Sequence, residues 1–289
     1  MSSGCRGVEI GFVGLGYVKV AILGVVQGVT ELLPISSTAH MRVVPALLGW
    51  PDPGAAFSAA MQSAALLAVL SYFWRDVSGL AGGSVKAVAR GQFNAPEVRF
   101  VGLIVLATIP IVIAGVLLAP ILNACNSPLR SIPAIGVACL IMALLLALAE
   151  LVAKHRRSID ETKLSDALLV GLAQMGALIP GVSRSGSTLT AAFALGFKRE
   201  DAARLSFLLG VPAIALAGAR EFWELHKIHL SSHGWSVLAV GLLTGAISSF
   251  VTIWGLMRFL EKFSAWPFII YRALLGALLI AGWMRGVLA

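Results

Sequence analysis

The stretch 180-PGVSRSGST-188 lies between two apolar runs, 171-GLAQMGALI-179 and 189-LTAAFALGF-197. Hydropathy alone runs a membrane span straight through it, with Arg184 in the middle. Proline removes a backbone donor, and glycine and serine open local turns. The region 164–197 therefore reads as two half-helices joined at depth, a re-entrant hairpin. Irregular backbone cannot face lipid, so the tip must face protein or a wet cavity. A second apolar region, 18–48, is broken in the same way by 34-PISST-38.

Between and after these hairpins the apolar runs are continuous, at about 54–73, 100–122, 132–153, 203–222, 236–258 and 266–285. Each is about long enough to cross a hydrocarbon core of roughly 30 Å. The order is hairpin and three spans, then hairpin and three spans. The segments 27-QGVTELLPISST-38 and 174-QMGALIPGVSRS-185 also share a pattern of Gln, a short apolar turn, Pro, then serines. Three crossings per unit is an odd number, so the second unit is expected upside down relative to the first. The fold expected is an all-α polytopic membrane protein, a single integral domain. It has six transmembrane helices and two re-entrant helix hairpins in an inverted repeat, about 18–153 and 164–286. In such repeats, interruptions at matching positions point to a site near the midplane.

Composition agrees. Of 289 residues, 58% are hydrophobic and 12% charged, with a mean hydropathy of +0.90; soluble domains are about a quarter charged. Continuous rather than alternating runs argue against a β-barrel. The net charge of +8 does not indicate nucleic acid, because the basic residues sit in short loops between spans. Loops 74–99, 154–163, 198–204 and 258–262 carry most of them, whereas 123–131 and 223–235 carry only Arg130 and Lys227. The positive-inside rule makes the first set cytoplasmic and puts both termini outside. Cys5, Cys125 and Cys139 have no metal or redox spacing and read as structural. Arg6 precedes an apolar stretch without a clear cleavage site, which suits a first helix or signal anchor better than a removed signal peptide.

Polar residues at membrane depth are costly and usually functional. In the first hairpin they are Gln27, Glu31, Ser36, Ser37, Thr38 and His40; in the second, Ser183, Arg184, Ser185, Ser187 and Thr188. Gln27 and Glu31, four apart, share one helix face. Ser37 and His40, three apart, are within side-chain reach. The second tip joins glycine, hydroxyls, an arginine and a helix N-terminus, a combination suited to an anion. Plainer readings stand beside this. Ser36, Thr38, Ser187 and Thr188 taken singly are equally good helix caps. Arg184 and Glu31 also read as an internal salt bridge, and His40 as a satisfied interfacial histidine. Gln62 and Arg272, inside spans, read as supporting hydrogen-bond partners, and Glu150 and Glu221, at span ends, as interfacial charges.

The segments 23-LGVVQGVTELLPISSTAHM-41 and 171-GLAQMGALIPGVSRSGSTLTAAFALGF-197 resemble the two signature regions of the undecaprenyl pyrophosphate phosphatase family of bacterial inner membranes, the bacitracin-resistance BacA type. The late segment 266-WPFIIYRALLG-276 is similar to that family too, and the resemblance runs from about residue 18 to the end. It implies removal of the terminal phosphate from a C55 isoprenoid diphosphate, a divalent cation (Mg²⁺ or Ca²⁺), and a site opening to the periplasmic side. Carried over by motif, the functional positions are Gln27, Glu31, Ser37 and His40, with Ser183, Arg184, Ser185 and Thr188. The first member of the acidic pair is Gln27 here. Glutamine is neither a general base nor a charged metal ligand, so any acidic role falls to Glu31.

On this reading Arg184 with the 183–188 hydroxyls and N–H groups cradles the diphosphate, and Ser36 and Gln27 contribute to binding. Glu31 holds the cation. Ser37 attacks phosphorus with His40 or Glu31 taking its proton, or water attacks and Ser37 only donates a hydrogen bond. Two other functions are consistent with the pattern: a midplane transporter or flippase of an anion or lipid phosphate, and a phosphatase of a shorter prenyl diphosphate.

Overall fold

The computed structural model describes residues 11–122 and 127–288. Cys5, Arg6 and Cys125 lie outside them. The described residues form eleven α-helices with short 3₁₀ turns, and no β-sheet beyond an isolated bridge between Arg157 and Phe197. A 3₁₀ turn, Gly11–Leu15, leads into α1 (Gly16–Leu32), and α2 (Ser37–Leu47) returns from the first break. Next come α3 (Ala55–Tyr72), α4 (Trp74–Ala89), α5 (Pro96–Leu122) and α6 (Ile132–Val152). The second half is α7 (Leu164–Gln174), α8 (Arg184–Ala194), α9 (Arg199–Lys227), α10 (Ser232–Lys262) and α11 (Trp266–Met284).

Among the described residues six helices are long and apolar enough to cross a membrane, or seven if the bent α3–α4 pair is one span. Two boundaries differ from the sequence reading. The first arm of hairpin one, with its 3₁₀ turn, spans 22 residues, Gly11–Leu32, and is itself long enough to cross. The expected loop 74–99 contains α4, which leaves α3 at a 78° bend. Arg75, Asp76 and Lys86 lie among apolar residues there, and Trp74, Val85 and Val88 are exposed. That amphipathic pattern suits a helix lying along the interface rather than crossing it. The charges hide it from a hydropathy reading. Glu150, expected as an interfacial charge, is buried and accepts from Arg199 Nε at 2.9 Å and Nη2 at 2.5 Å.

The helix pairs follow from small residues. In lipid, helices associate by close backbone approach rather than by hydrophobic exclusion. On α1, Gly24 and Gly28 face Gly241 and Gly245 of α10; a Cβ on Gly24 would stand 2.6 Å from the Gly241 carbonyl oxygen, and one on Gly28 2.4 Å from that of Gly245. The second half repeats the contact between α7 and α5: a Cβ on Gly171, 147 residues after Gly24, would stand 2.3 Å from the Ala107 carbonyl oxygen. Between α6 and α11 the contact is reciprocal, Gly136 and Gly276 each facing the other's carbonyl. Exchanging the halves therefore turns the α1–α10 pair into α7–α5 and returns α6–α11 and α3–α9 to themselves. The largest apolar core lies where α3, α8, α9 and α10 meet, with Phe193, Phe197, Leu205 and Leu209 fully buried.

Candidate active site

The two hairpin breaks are built alike. Ser36 and Ser183, 147 residues apart, are the N-caps of α2 and α8. The Ser36 hydroxyl accepts from Ala39 N at 3.4 Å, and that of Ser183 from Gly186 N at 3.1 Å. Both have left-handed backbones, φ 74° and 70°. This is an uncommon conformation for a residue with a Cβ, and it persists only where the surroundings enforce it. The capping reading is thus correct for Ser36, and the same role falls to Ser183. It also places Ser37 and Arg184 at equivalent first positions of their helices.

The tips are tied to each other. Gly181 N donates to Thr38 Oγ1 at 3.0 Å. The Ser185 hydroxyl lies 3.1 Å from the carbonyls of both Glu31 and Leu33. Arg272, 0% exposed, is the strongest tie. It donates to the Pro34 carbonyl at 3.1 Å, to Gly181 at 2.5 Å, to Cys139 at 3.3 Å, and to Val182. One side chain on α11 thereby satisfies three carbonyls at the two helix breaks, those of Pro34, Gly181 and Val182, and bonds that of Cys139 on α6. The supporting role expected of Arg272 holds, but it is central rather than peripheral. Gln62 remains partly exposed in α3.

Around this frame the reactive groups converge. Glu31 Oε2 accepts from Gln27 Nε2 at 3.0 Å and from the Ser37 hydroxyl at 2.6 Å. Glu31 Oε1 lies 3.7 Å from Arg184 Nη2. Ser37 therefore has a carboxylate partner, and that partner is not His40. His40 Nδ1 donates to the Ser36 carbonyl at 2.7 Å, and its Nε2 meets the Tyr271 hydroxyl at 2.7 Å. The contact between Ser37 and His40 expected from their spacing is replaced by these two.

Arg184 is 8% exposed, and none of its three guanidinium nitrogens has a hydrogen-bond partner. Buried polar groups are nearly always paired, and an unpaired one costs about 1–3 kcal/mol. The internal salt bridge to Glu31 is present, at 3.7 Å, but it leaves the N–H donors of the guanidinium without a hydrogen bond. Gly210 on α9 passes flush over it, since a Cβ there would stand 2.0 Å from Arg184 Nη1. The Ser187 and Thr188 hydroxyls bond the Arg184 carbonyl, at 3.0 and 2.9 Å, and Thr188 also meets Ser206 at 2.5 Å. These hydroxyls hold Arg184 in place. Sequence reasoning passed over Gly210, Ser206 and Tyr271. Tyr271 lies inside the quoted segment 266–276, but nothing marked it out, and a lone helical glycine or serine carries no signal.

Among the described residues no three His, Cys, Asp or Glu side chains gather around one point. The oxygens offered to a cation are those of Glu31 and Gln27 Oε1, which is buried without a hydrogen-bond partner.

Residues 20–278 match the family described as bacitracin resistance protein BacA. The chain is 69% identical over 263 residues to undecaprenyl-diphosphatase 2 of Mesorhizobium japonicum, covering 91% of this chain and 100% of that protein. It is 48% identical over 274 residues to an undecaprenyl-diphosphatase of Gloeobacter violaceus, covering 95% and 94%. To an undecaprenyl-diphosphatase of Synechococcus elongatus it is 46% identical over 268 residues, covering 92% and 93%.

Proposed function

The chain belongs to the bacitracin resistance protein BacA family, and from that premise we propose that Arg184, Glu31 and Ser37 are the centre of its reaction. The protein is a multi-pass bacterial membrane hydrolase. It converts undecaprenyl diphosphate to undecaprenyl phosphate and orthophosphate, recycling the lipid carrier of envelope synthesis. The observation that carries the assignment of the site is the buried Arg184 guanidinium with its donors unused.

Arg184 holds the terminal phosphate and stabilises the charge that develops as the P–O bond breaks. Ser37 Oγ attacks phosphorus while its proton passes to Glu31 Oε2, its partner at 2.6 Å. The bridging P–O bond breaks and undecaprenyl phosphate leaves. Water then hydrolyses the phosphoserine, releasing orthophosphate and regenerating Ser37. Ser36, Ser183, Ser185 and Thr188 shape the two tips around the phosphate. Gln27 orients Glu31. His40 steadies the Ser36 turn from which Ser37 projects.

Glu31 would hold a hard divalent cation, Mg²⁺ or Ca²⁺, which binds through one or two carboxylates and shares the rest of its shell with phosphate. When bound, it supplies further neutralisation of the diphosphate. The two halves are inverted repeats about 18–153 and 164–286, and the site opens to the periplasmic side.

The test is orthophosphate release from undecaprenyl diphosphate by purified protein in detergent with Mg²⁺. Arg184→Ala is expected to lower kcat by about 10²–10³-fold. Release undiminished in that variant removes Arg184 from the reaction. Release abolished by EDTA and restored by Mg²⁺ supports the cation; full activity in EDTA removes it. A phosphoserine trapped at Ser37 supports the covalent route, and substantial turnover by Ser37→Ala replaces it with direct attack by water.

A further inference from the structure

Tyr271 lies on α11 immediately before Arg272, and its ring is half exposed, at 46%. Its hydroxyl meets His40 Nε2 at 2.7 Å, and the two rings are stacked, 5.7 Å between centroids and 6° between planes. His40 is buried, and its other nitrogen is committed to the Ser36 carbonyl. A carbonyl only accepts, so His40 carries its proton on Nδ1. In the neutral ring Nε2 is then an acceptor, and the Tyr271 hydroxyl donates to it. The hydrogen-bond partners of the imidazole are thus Ser36 and Tyr271, and neither is a carboxylate.

The consequence lies at Ser36. Its backbone is left-handed, φ 74°, and such a residue needs enforcement from outside. Two groups on α11 supply it from either side. Arg272 holds the Pro34 carbonyl directly. Tyr271 holds His40, and His40 holds the Ser36 carbonyl. The residue after Ser36 is Ser37, whose hydroxyl must stay on Glu31.

We propose that Tyr271 is a positioning residue for the phosphatase reaction: by donating to Nε2 it holds the His40 ring, whose Nδ1–H bonds the Ser36 carbonyl, and so clamps the Ser36 turn and keeps the Ser37 hydroxyl aimed at Glu31. This rests on the role given above to Ser37 and Glu31. The idea that α11 only covers the site differs from it in a measurable way, because a cover is indifferent to whether the imidazole Nε2 has a hydrogen-bond donor.

The experiment is Tyr271→Phe, which keeps the ring and its stacking and removes only the hydroxyl. In protein labelled with ¹⁵N-histidine and held in detergent, the His40 resonances are assigned by their loss in His40→Asn. Wild type is expected to show the Nδ1–H tautomer with Nε2 hydrogen-bonded, and Tyr271→Phe an Nε2 resonance shifted to that of a nitrogen without a donor. Steady-state rates on undecaprenyl diphosphate are expected to show kcat lower by about tenfold, the scale of one hydrogen bond, with KM near that of wild type. In His40→Asn the amide supplies an N–H to Ser36 but offers nothing to Tyr271, so adding Tyr271→Phe to it is expected to cost nothing more. An unchanged His40 Nε2 resonance in Tyr271→Phe overturns the proposal. So does a change in KM alone, or a full tenfold loss on top of His40→Asn. If Tyr271→Phe fails to fold while His40→Asn folds, the hydroxyl is structural and the proposal is likewise overturned. Should wild type release no orthophosphate, the reading of Ser37 and Glu31 fails by itself, and the Nε2 resonance still decides whether Tyr271 holds His40.

Discussion

Two buried arginines share this site, and their surroundings give them opposite properties. Arg272 places its donors on four backbone carbonyls, whereas the Arg184 nitrogens have no hydrogen bond. Replacing Arg272 by Met leaves those carbonyls open and uncouples the tips, which is expected to cost about 3 kcal/mol or more of stability. Lysine is expected to recover only part of this, because a point charge on a single stem cannot reproduce the planar fork. Arg184→Met is expected to abolish activity at a smaller cost in stability than Arg272→Met, since no hydrogen bond is lost although Glu31 is left buried without its counter-charge. Thermal unfolding of the two variants side by side in one detergent checks both, and equal losses of stability would contradict the division of roles. Sequence marked both arginines as unusual at membrane depth. It did not tell them apart, because the difference lies in which carbonyls come within reach.

At the scale of elements, the helix seams depend on glycine where backbones touch. Gly28→Leu is expected to destabilise by about 3 kcal/mol, the upper range for overpacking, since its Cβ meets the Gly245 carbonyl oxygen and the Ser248 hydroxyl. Gly79→Ala and Gly82→Ala on α4 meet nothing within 4 Å. They are expected to be neutral or to stabilise by up to about 1 kcal/mol through helix propensity. Measured melting temperatures that failed to separate Gly28 from Gly79 and Gly82 would count against the close α1–α10 contact. Most spans were legible from hydropathy alone, including α5, α6 and α9 to α11. The α4 helix was not, because its charges suit a helix at the interface as well as they suit a loop. Its tie to α9, through Asp76 and Arg204 at 2.7 Å, joins residues far apart in the chain.

For the whole molecule, the inversion of the two halves proposed above is consistent with how their helices pair. The exchange of α1–α10 with α7–α5, and the reciprocal Gly136–Gly276 contact between α6 and α11, are what a two-fold relation between the halves produces. Sidedness rests on the loop charges alone, from which the positive-inside rule expects loops 154–163 and 198–204 in the cytoplasm and both termini outside. A membrane-impermeant thiol reagent on intact cells checks it, using a cysteine introduced at the C-terminus and one introduced in loop 154–163. The first is expected to be labelled and the second protected. The opposite pattern would reverse the topology and turn the site toward the cytoplasm.

By itself the sequence determined the membrane class, the two interrupted helices and the residues at their breaks. Each of these follows from local chemistry: apolar length, the missing donor of proline, and the high cost of a polar side chain in lipid. Even the equivalence of Ser36 and Ser183 can be read from spacing. The tertiary structure decided who partners whom. It gave Ser37 to Glu31 rather than to His40, His40 to Tyr271, and the tip carbonyls to Arg272, and it left Arg184 with its donors free. Those pairings join residues up to 238 positions apart. A hydrogen bond is settled by tenths of an ångström, and only the packed helices fix distances on that scale.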